Sequence, residues 1–195
     1  MKNSSAPFQF VGNDLVLDFV NTRPVLDGVE HDLITTPQNL AQWLHESSAP
    51  PTSTHWNESD FMSALHLRDA LSLVLAALAA QSVPPPQAVQ DVNAYLVDFT
   101  LNIQLNHSEA GYHIQPIQTE MSPRAFLAFL AKQAIDLVTA QDANRVRKCA
   151  DLSCVLMFKD TSKSGRRRWC SMETCGNRNK VAAFRSQSKQ ASGLA

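Results

Sequence analysis

The stretch that decides this fold is residues 145–187, RVRKCADLSCVLMFKDTSKSGRRRWCSMETCGNRNKVAAFRSQ. It holds every cysteine of the chain, Cys149, Cys154, Cys170 and Cys175, in the pattern C-x4-C-x15-C-x4-C. Two short Cys pairs joined by a loop bring four thiolates to one point, which is what tetrahedral zinc needs. Four soft thiolates and no histidine close the coordination sphere, so the expected cofactor is one structural Zn2+ per chain rather than a catalytic metal. The rival pairing into two disulfides needs an oxidising compartment, and nothing in the chain suggests export. After the first pair, Leu156, Met157 and Phe158 form an apolar strand-like run, and 159–165 is a polar loop. Ser171 suits a helix N-cap, and Glu173 suits the positive end of the helix that follows. A knuckle, a hairpin and a ligand-bearing helix make a treble-clef-like finger with four cysteine ligands.

Charge divides the chain at the same place. Residues 1–141 carry 5 Lys and Arg against 14 Asp and Glu, a net −9, whereas residues 142–195 carry 12 against 4, a net +8. The overall −1 therefore hides an acidic body and a basic tail, and the tail calls for an anionic partner. Residues 1–141 read as one domain and 142–195 as a finger. The apolar run 70–80 is too short to span a bilayer, and the N-terminus lacks the apolar core of a signal peptide, so a cytoplasmic protein without a membrane partner is expected.

The body reads as α+β, mostly helical with a small β element. Phe8 and Phe10 alternate like a strand, a turn follows at Gly12-Asn13, and Leu15, Val16, Phe19 and Val20 fall at helical spacing. Thr36-Pro37 and Ser122-Pro123 are helix starts. A long helix over about 59–81 buries Leu71, Leu75 and Leu78 in its nearly all-apolar second half. Pro84-Pro85-Pro86 opens a helix with Val89, Val92 and Leu96 inside. The segments 101–105 and 112–117 alternate apolar and polar and pair as a hairpin, to which Phe8 and Phe10 would add a third strand. The end, 188–195, reads as frayed.

Around Cys175-Gly176-Asn177-Arg178 the chain resembles the CGNR zinc finger, a resemblance extended by the first Cys pair, the FKD segment and the RRWC run. The body is similar to that family's companion ABATE domain, described as a stress-induced transcription regulator, on LVLDFVNT (15–22), Thr36-Pro37 with Leu40 and Trp43-Leu44, and the Leu67-Arg68 helix. The resemblance implies zinc binding and DNA binding.

Several side chains carry two readings. Arg166, Arg167, Arg168, Lys180 and Arg185 are expected to meet nucleic-acid phosphates, against the alternative of a solvated face. For Asn177 and Arg178 a structural role beside the metal is preferred to base contact. Trp169 belongs to the finger core, and Val181 and Phe184 dock on the body or on a second subunit. Asn21, Thr22, Trp43 and Arg68 outline a pocket for a small-molecule effector; an internal salt bridge and helix cap, with Asp18 or Asp69 partnering the arginine, is the preferred alternative. No Gly-rich phosphate loop or nucleophile–base pair is evident, so the chain is not expected to be an enzyme. The function expected is a zinc-dependent, DNA-binding transcription regulator whose acidic body senses an effector or forms a homodimer. The alternative is a zinc-stabilised protein-interaction module without DNA binding.

Overall fold

The computed structural model describes residues 8–100, 103–116 and 120–192. They fall into two units. One takes Ile34–Val74 and Pro84–Ala140; the other takes the chain up to Leu33, Leu75–Val83, and the chain from Gln141 on.

The first unit is built on helices. In α1 (Leu15–Val20) of the other unit, and in α2 (Pro37–Glu46) of this one, a side-chain cap sets the start: Asp14 accepts from the Val16 amide, and Thr36 accepts from the Asn39 amide with Pro37 next in line. Helix α2 buries Leu40, Trp43 and Leu44. Helix α3 (Glu58–Ala79) has the length and composition of a membrane span, yet Phe61, Ala64, Leu67 and Leu71 lie buried, as in a core helix. Its second half is less covered than expected. Leu71 and Leu75 are fully buried, but Leu78 is only half-buried and Leu73 is exposed. Helix α4 (Pro86–Leu96) buries Ala88 and Val92 and leaves Val89 exposed. Helix α5 (Pro123–Thr139) is capped by Ser122, packs on α4, and buries Phe126, Leu127, Leu130 and Leu137. Trp56 meets Phe126 edge-on, centroids 6.2 Å apart.

The unit's sheet is one antiparallel hairpin, described over Ile103–Ser108 and Gly111–Pro116, with Leu105 opposite Ile114. The outer ends expected for these two segments, 101–102 and 117, lie outside the described residues.

The second unit joins the start of the chain to its end. A two-residue hairpin, β1 (Val25–Leu26) with β2 (Val29–Glu30), turns at Asp27 (φ 51) and Gly28 (φ 82), both left-handed as a type I′ turn demands. With Ile103–Ser108 as β3 and Gly111–Pro116 as β4, the finger holds β5 (Val146–Lys148) and β6 (Met157–Lys159), antiparallel, with the first Cys pair in the loop between them. The hairpin therefore brackets the knuckle instead of following it. After a π-type turn (Met172–Gly176) the chain continues as α6 (Asn177–Ser192). The helix reaches Ser192, so most of the segment expected to fray is helical; 193–195 lie outside the described residues.

Residues 8–11 are not a strand. The backbone instead meets the finger through two carbonyls: Gly12 accepts from the Lys159 amide at 2.8 Å and Val11 accepts from Arg167 Nη2 at 3.1 Å. The Gly12 amide donates to Asp18 Oδ1 at 2.7 Å. A Cβ on Gly12 would stand 2.7 Å from Leu17 Cβ and 3.0 Å from the Asp18 amide nitrogen, too close for any side chain. Asn21 completes the join. Its Nδ2 donates to the Met157 carbonyl (2.8 Å) and its Oδ1 accepts from the Met157 amide (2.9 Å), so one side chain satisfies both backbone groups of a buried strand residue.

Candidate metal centre and basic surface

Cys149 follows β5, Cys154 closes the knuckle, Cys170 precedes the π-type turn and Cys175 lies within it. Their four Sγ atoms all lie within 4.8 Å of one another, with Cys154–Cys170 at 3.7 Å and Cys170–Cys175 at 3.6 Å. A tetrahedron of thiolates about 2.3 Å from zinc has edges of about 3.8 Å, whereas a disulfide closes to about 2.05 Å. All four cysteines are free, so the disulfide alternative falls.

The thiols cannot all ionise on their own. A hydrogen bond with Cys170 pulls the Cys154 thiol down to about 6, the same bond pushes Cys170 up, and burial pushes Cys175 up to about 12. A dication removes that conflict. Leu156 and Phe158 are buried with the cysteines, Val11 and Trp169 pack against them, and the Cys170 amide donates to Cys149 Sγ at 3.4 Å. With four protein ligands the site has no open position, the mark of a structural metal. The residues fit one zinc ion.

Around the centre two aspartates organise the loops, and both were missed in the sequence. Asp151 accepts from the Ser153 amide (2.9 Å), the Ser153 hydroxyl (2.7 Å) and Asn179 Nδ2 (2.9 Å), with Arg178 Nη1 at 3.5 Å. Asp160, fully buried, accepts from the Ser162 amide (3.0 Å) and the Arg167 amide (2.9 Å). Burial pushes each carboxyl upward, but these hydrogen bonds, with Arg178 beside Asp151 and Arg147 beside Asp160, outweigh it and hold both below the usual carboxylate range. Both stand in the pattern Asp-x-Ser, the Asx-turn signature that would have revealed them.

After its cysteine the CGNR run makes hydrogen bonds within the finger. Asn177 Nδ2 donates to the Glu173 carbonyl (3.1 Å), and Arg178 donates to the Ser153 hydroxyl (2.6 Å). A Cβ on Gly176 would stand 2.8 Å from Met172 Sδ. Arg178 thus bonds the knuckle through Ser153, with Asp151 beside it, rather than a thiolate, and both Asn177 and Arg178 remain exposed.

The cations divide. Arg166, Arg168, Lys180 and Arg185 are exposed, Arg168 lying 5.0 Å from the Trp169 ring. Arg167 is turned inward. Its Nε donates to the Trp169 carbonyl (2.9 Å), its Nη2 to the Val11 carbonyl (3.1 Å) and to the Cys170 carbonyl, and the guanidinium stacks 4.4 Å from the Phe158 ring. It braces the metal centre and is less exposed than Arg166 and Arg168 on either side of it. Trp169 packs against the core cluster as expected, while Val181 and Phe184 are exposed.

Asn21 and Thr22 belong to the zinc unit, where Asn21 clamps Met157 and the Thr22 hydroxyl donates to the Phe19 carbonyl (2.7 Å). Trp43 and Arg68 belong to the helical unit and are fully buried. Asp18 accepts from Gly12, and burial pushes its carboxyl up to about 6.

A closed four-cysteine centre on a hairpin and a helix defines a zinc-finger protein. Residues 13–141 match the ABATE family model, whose description is "Putative stress-induced transcription regulator", and residues 145–188 match the CGNR zinc finger. The chain belongs to the ABATE family and carries a CGNR zinc finger at its C-terminal end. No curated protein matches it.

Proposed function

We propose that the protein is a zinc-dependent transcription regulator whose finger binds DNA, the helical unit serving as the sensing or dimerising part. One observation carries this reading: of the four acids in 142–195 all but Glu173 are buried or paired, while four of the finger's cations face solvent. Asp151 and Asp160 are buried and Asp142 pairs with Lys159 at 3.0 Å, while Arg166, Arg168, Lys180 and Arg185 face solvent. Such a surface suits a phosphate backbone. The closed metal centre favours a regulator over an enzyme, because zinc without an open position activates no water.

The test is binding to mixed-sequence duplex DNA across a salt series. Four phosphate contacts give log K against log salt a slope of about −4, and replacing Arg166 and Arg168 with alanine should reduce it by about 2 without changing zinc content. Absence of binding at low salt would overturn the reading. Exposed Val181 and Phe184 would then favour the second one, a protein-interaction module.

A further inference from the structure

Helix α6 is pinned to the finger at its start. In the first turn Asn179 Nδ2 donates to Asp151 and to the Cys175 carbonyl, both at 2.9 Å, beside the Asn177 and Arg178 bonds described above. From Val181 to Ser186 every residue is exposed, whichever side of the helix it faces. Helices of this size that bury little are marginal in water.

The composition says what would support it. Residues 174–192 contain no Asp or Glu. At 100° per residue, Lys180, Phe184, Val181 and Arg185 fall in that angular order within about 140°. Two apolar side chains, Phe184 (71% exposed) and Val181 (48%), are flanked on each side by a cation. A flat anionic surface has no need of this order, whereas a groove with an anionic wall on either side matches it.

We propose that α6 enters the major groove of duplex DNA. Val181 and Phe184 lie against base edges, the thymine 5-methyl groups above all, and Lys180 and Arg185 reach the phosphates of the two strands. The proposal rests on the DNA-binding reading above and adds the element, the groove and the specificity-determining side chains. The B-form major groove, about 12 Å wide, admits an α-helix, and apolar side chains read the thymine methyl there. The deep, narrow major groove of A-form RNA excludes one.

The experiment uses the full-length, zinc-loaded protein. A preferred duplex is enriched from a random pool and compared with the same duplex carrying deoxyuridine for thymidine, which lacks the methyl groups. The wild type should bind the thymidine form more tightly. Phe184→Ala should weaken binding to the enriched duplex about tenfold and abolish the thymidine preference, leaving the salt slope and zinc content unchanged. Val181→Ala should act in the same direction, and Lys180→Ala should lower the slope by about 1. The proposal is overturned, with DNA binding itself intact, if Phe184→Ala binds like the wild type, if the two duplexes bind equally, or if bulk DNA binds but no sequence is enriched. It is also overturned if Phe184→Ala leaves DNA binding unchanged and instead abolishes binding to duplex RNA, to phosphatidylserine vesicles or to a protein. Wild-type protein that binds no duplex at low salt would overturn the DNA-binding reading as well.

Discussion

In the helical unit the fully covered side chains are mostly large and apolar, Leu40, Trp43, Leu67, Leu71, Phe126 and Leu130, with Arg68 as the charged exception. In the zinc unit the covered groups include three aspartates, an asparagine and three of the four cysteines. The helical unit is held by area removed from water; the zinc unit adds directional bonds around a metal to buried apolar residues of its own, Leu17, Phe19 and Phe158 among them. Area is forgiving of small losses, whereas a directional network fails when one member leaves. The comparison teaches where metal dependence should reside, and that it does not stop at the finger, because α1 is tied to β6 through Asn21 and Gly12.

The largest expected effect is metal removal. Structural zinc supplies on the order of 10–16 kcal/mol to such modules, so a strong chelator or Cys175→Ser should melt the finger. Amide hydrogen exchange should show protection lost over 12–22 as well as 145–180, and kept over α5. Unchanged protection in α1 would break the coupling. Next, Leu71→Ala should cost roughly 2–5 kcal/mol through a cavity in the helical unit, read by denaturant unfolding, while zinc stoichiometry stays at one. Zinc loss in that variant would show that the two units fail together.

The smallest effect sharpens the comparison from inside the zinc unit. Burial raises the Asp18 carboxyl to about 6 from an ordinary 3.8. The folded state therefore binds this proton more tightly than the unfolded state. Its contribution is fully present below pH 3.8 and is lost as pH rises through about 6. Asp18→Asn keeps an oxygen for the Gly12 amide and removes the charge. It should stabilise the protein by about 1–3 kcal/mol at pH 8 and change little at pH 4, read by unfolding at the two pH values. An equal effect at both would show that the charge is not the cause.

What the sequence displayed was local. The cysteine spacing marked the metal centre because the ligands of each pair are five residues apart, and Thr36-Pro37 and Ser122-Pro123 marked helix starts because a cap and its proline are adjacent. The Asn21 clamp joins residues 136 apart, and no local pattern reports such a pair. Arg167 is a different lesson. Three identical arginines invite one assignment, yet the middle one turns onto the Val11, Trp169 and Cys170 carbonyls while its neighbours stay exposed. Its place was not legible, since Val11 lies 156 residues away. Nor was the covering of Leu78 and Leu73, because a helix apolar on every side leaves its packed face to be chosen by tertiary partners.

The Asn21–Met157 clamp also sets an order of events during synthesis. Residue 21 is made long before residue 157, and at about 5–20 residues per second the interval is on the order of 10 s. For that time the Gly12–Asn21 segment is on the nascent chain without its strand partner, and the cysteines that would fix that partner do not yet exist. The Asn21 side chain therefore meets its backbone partner only after the intervening chain has been made, whereas Thr22 can bond the Leu33 amide almost at once.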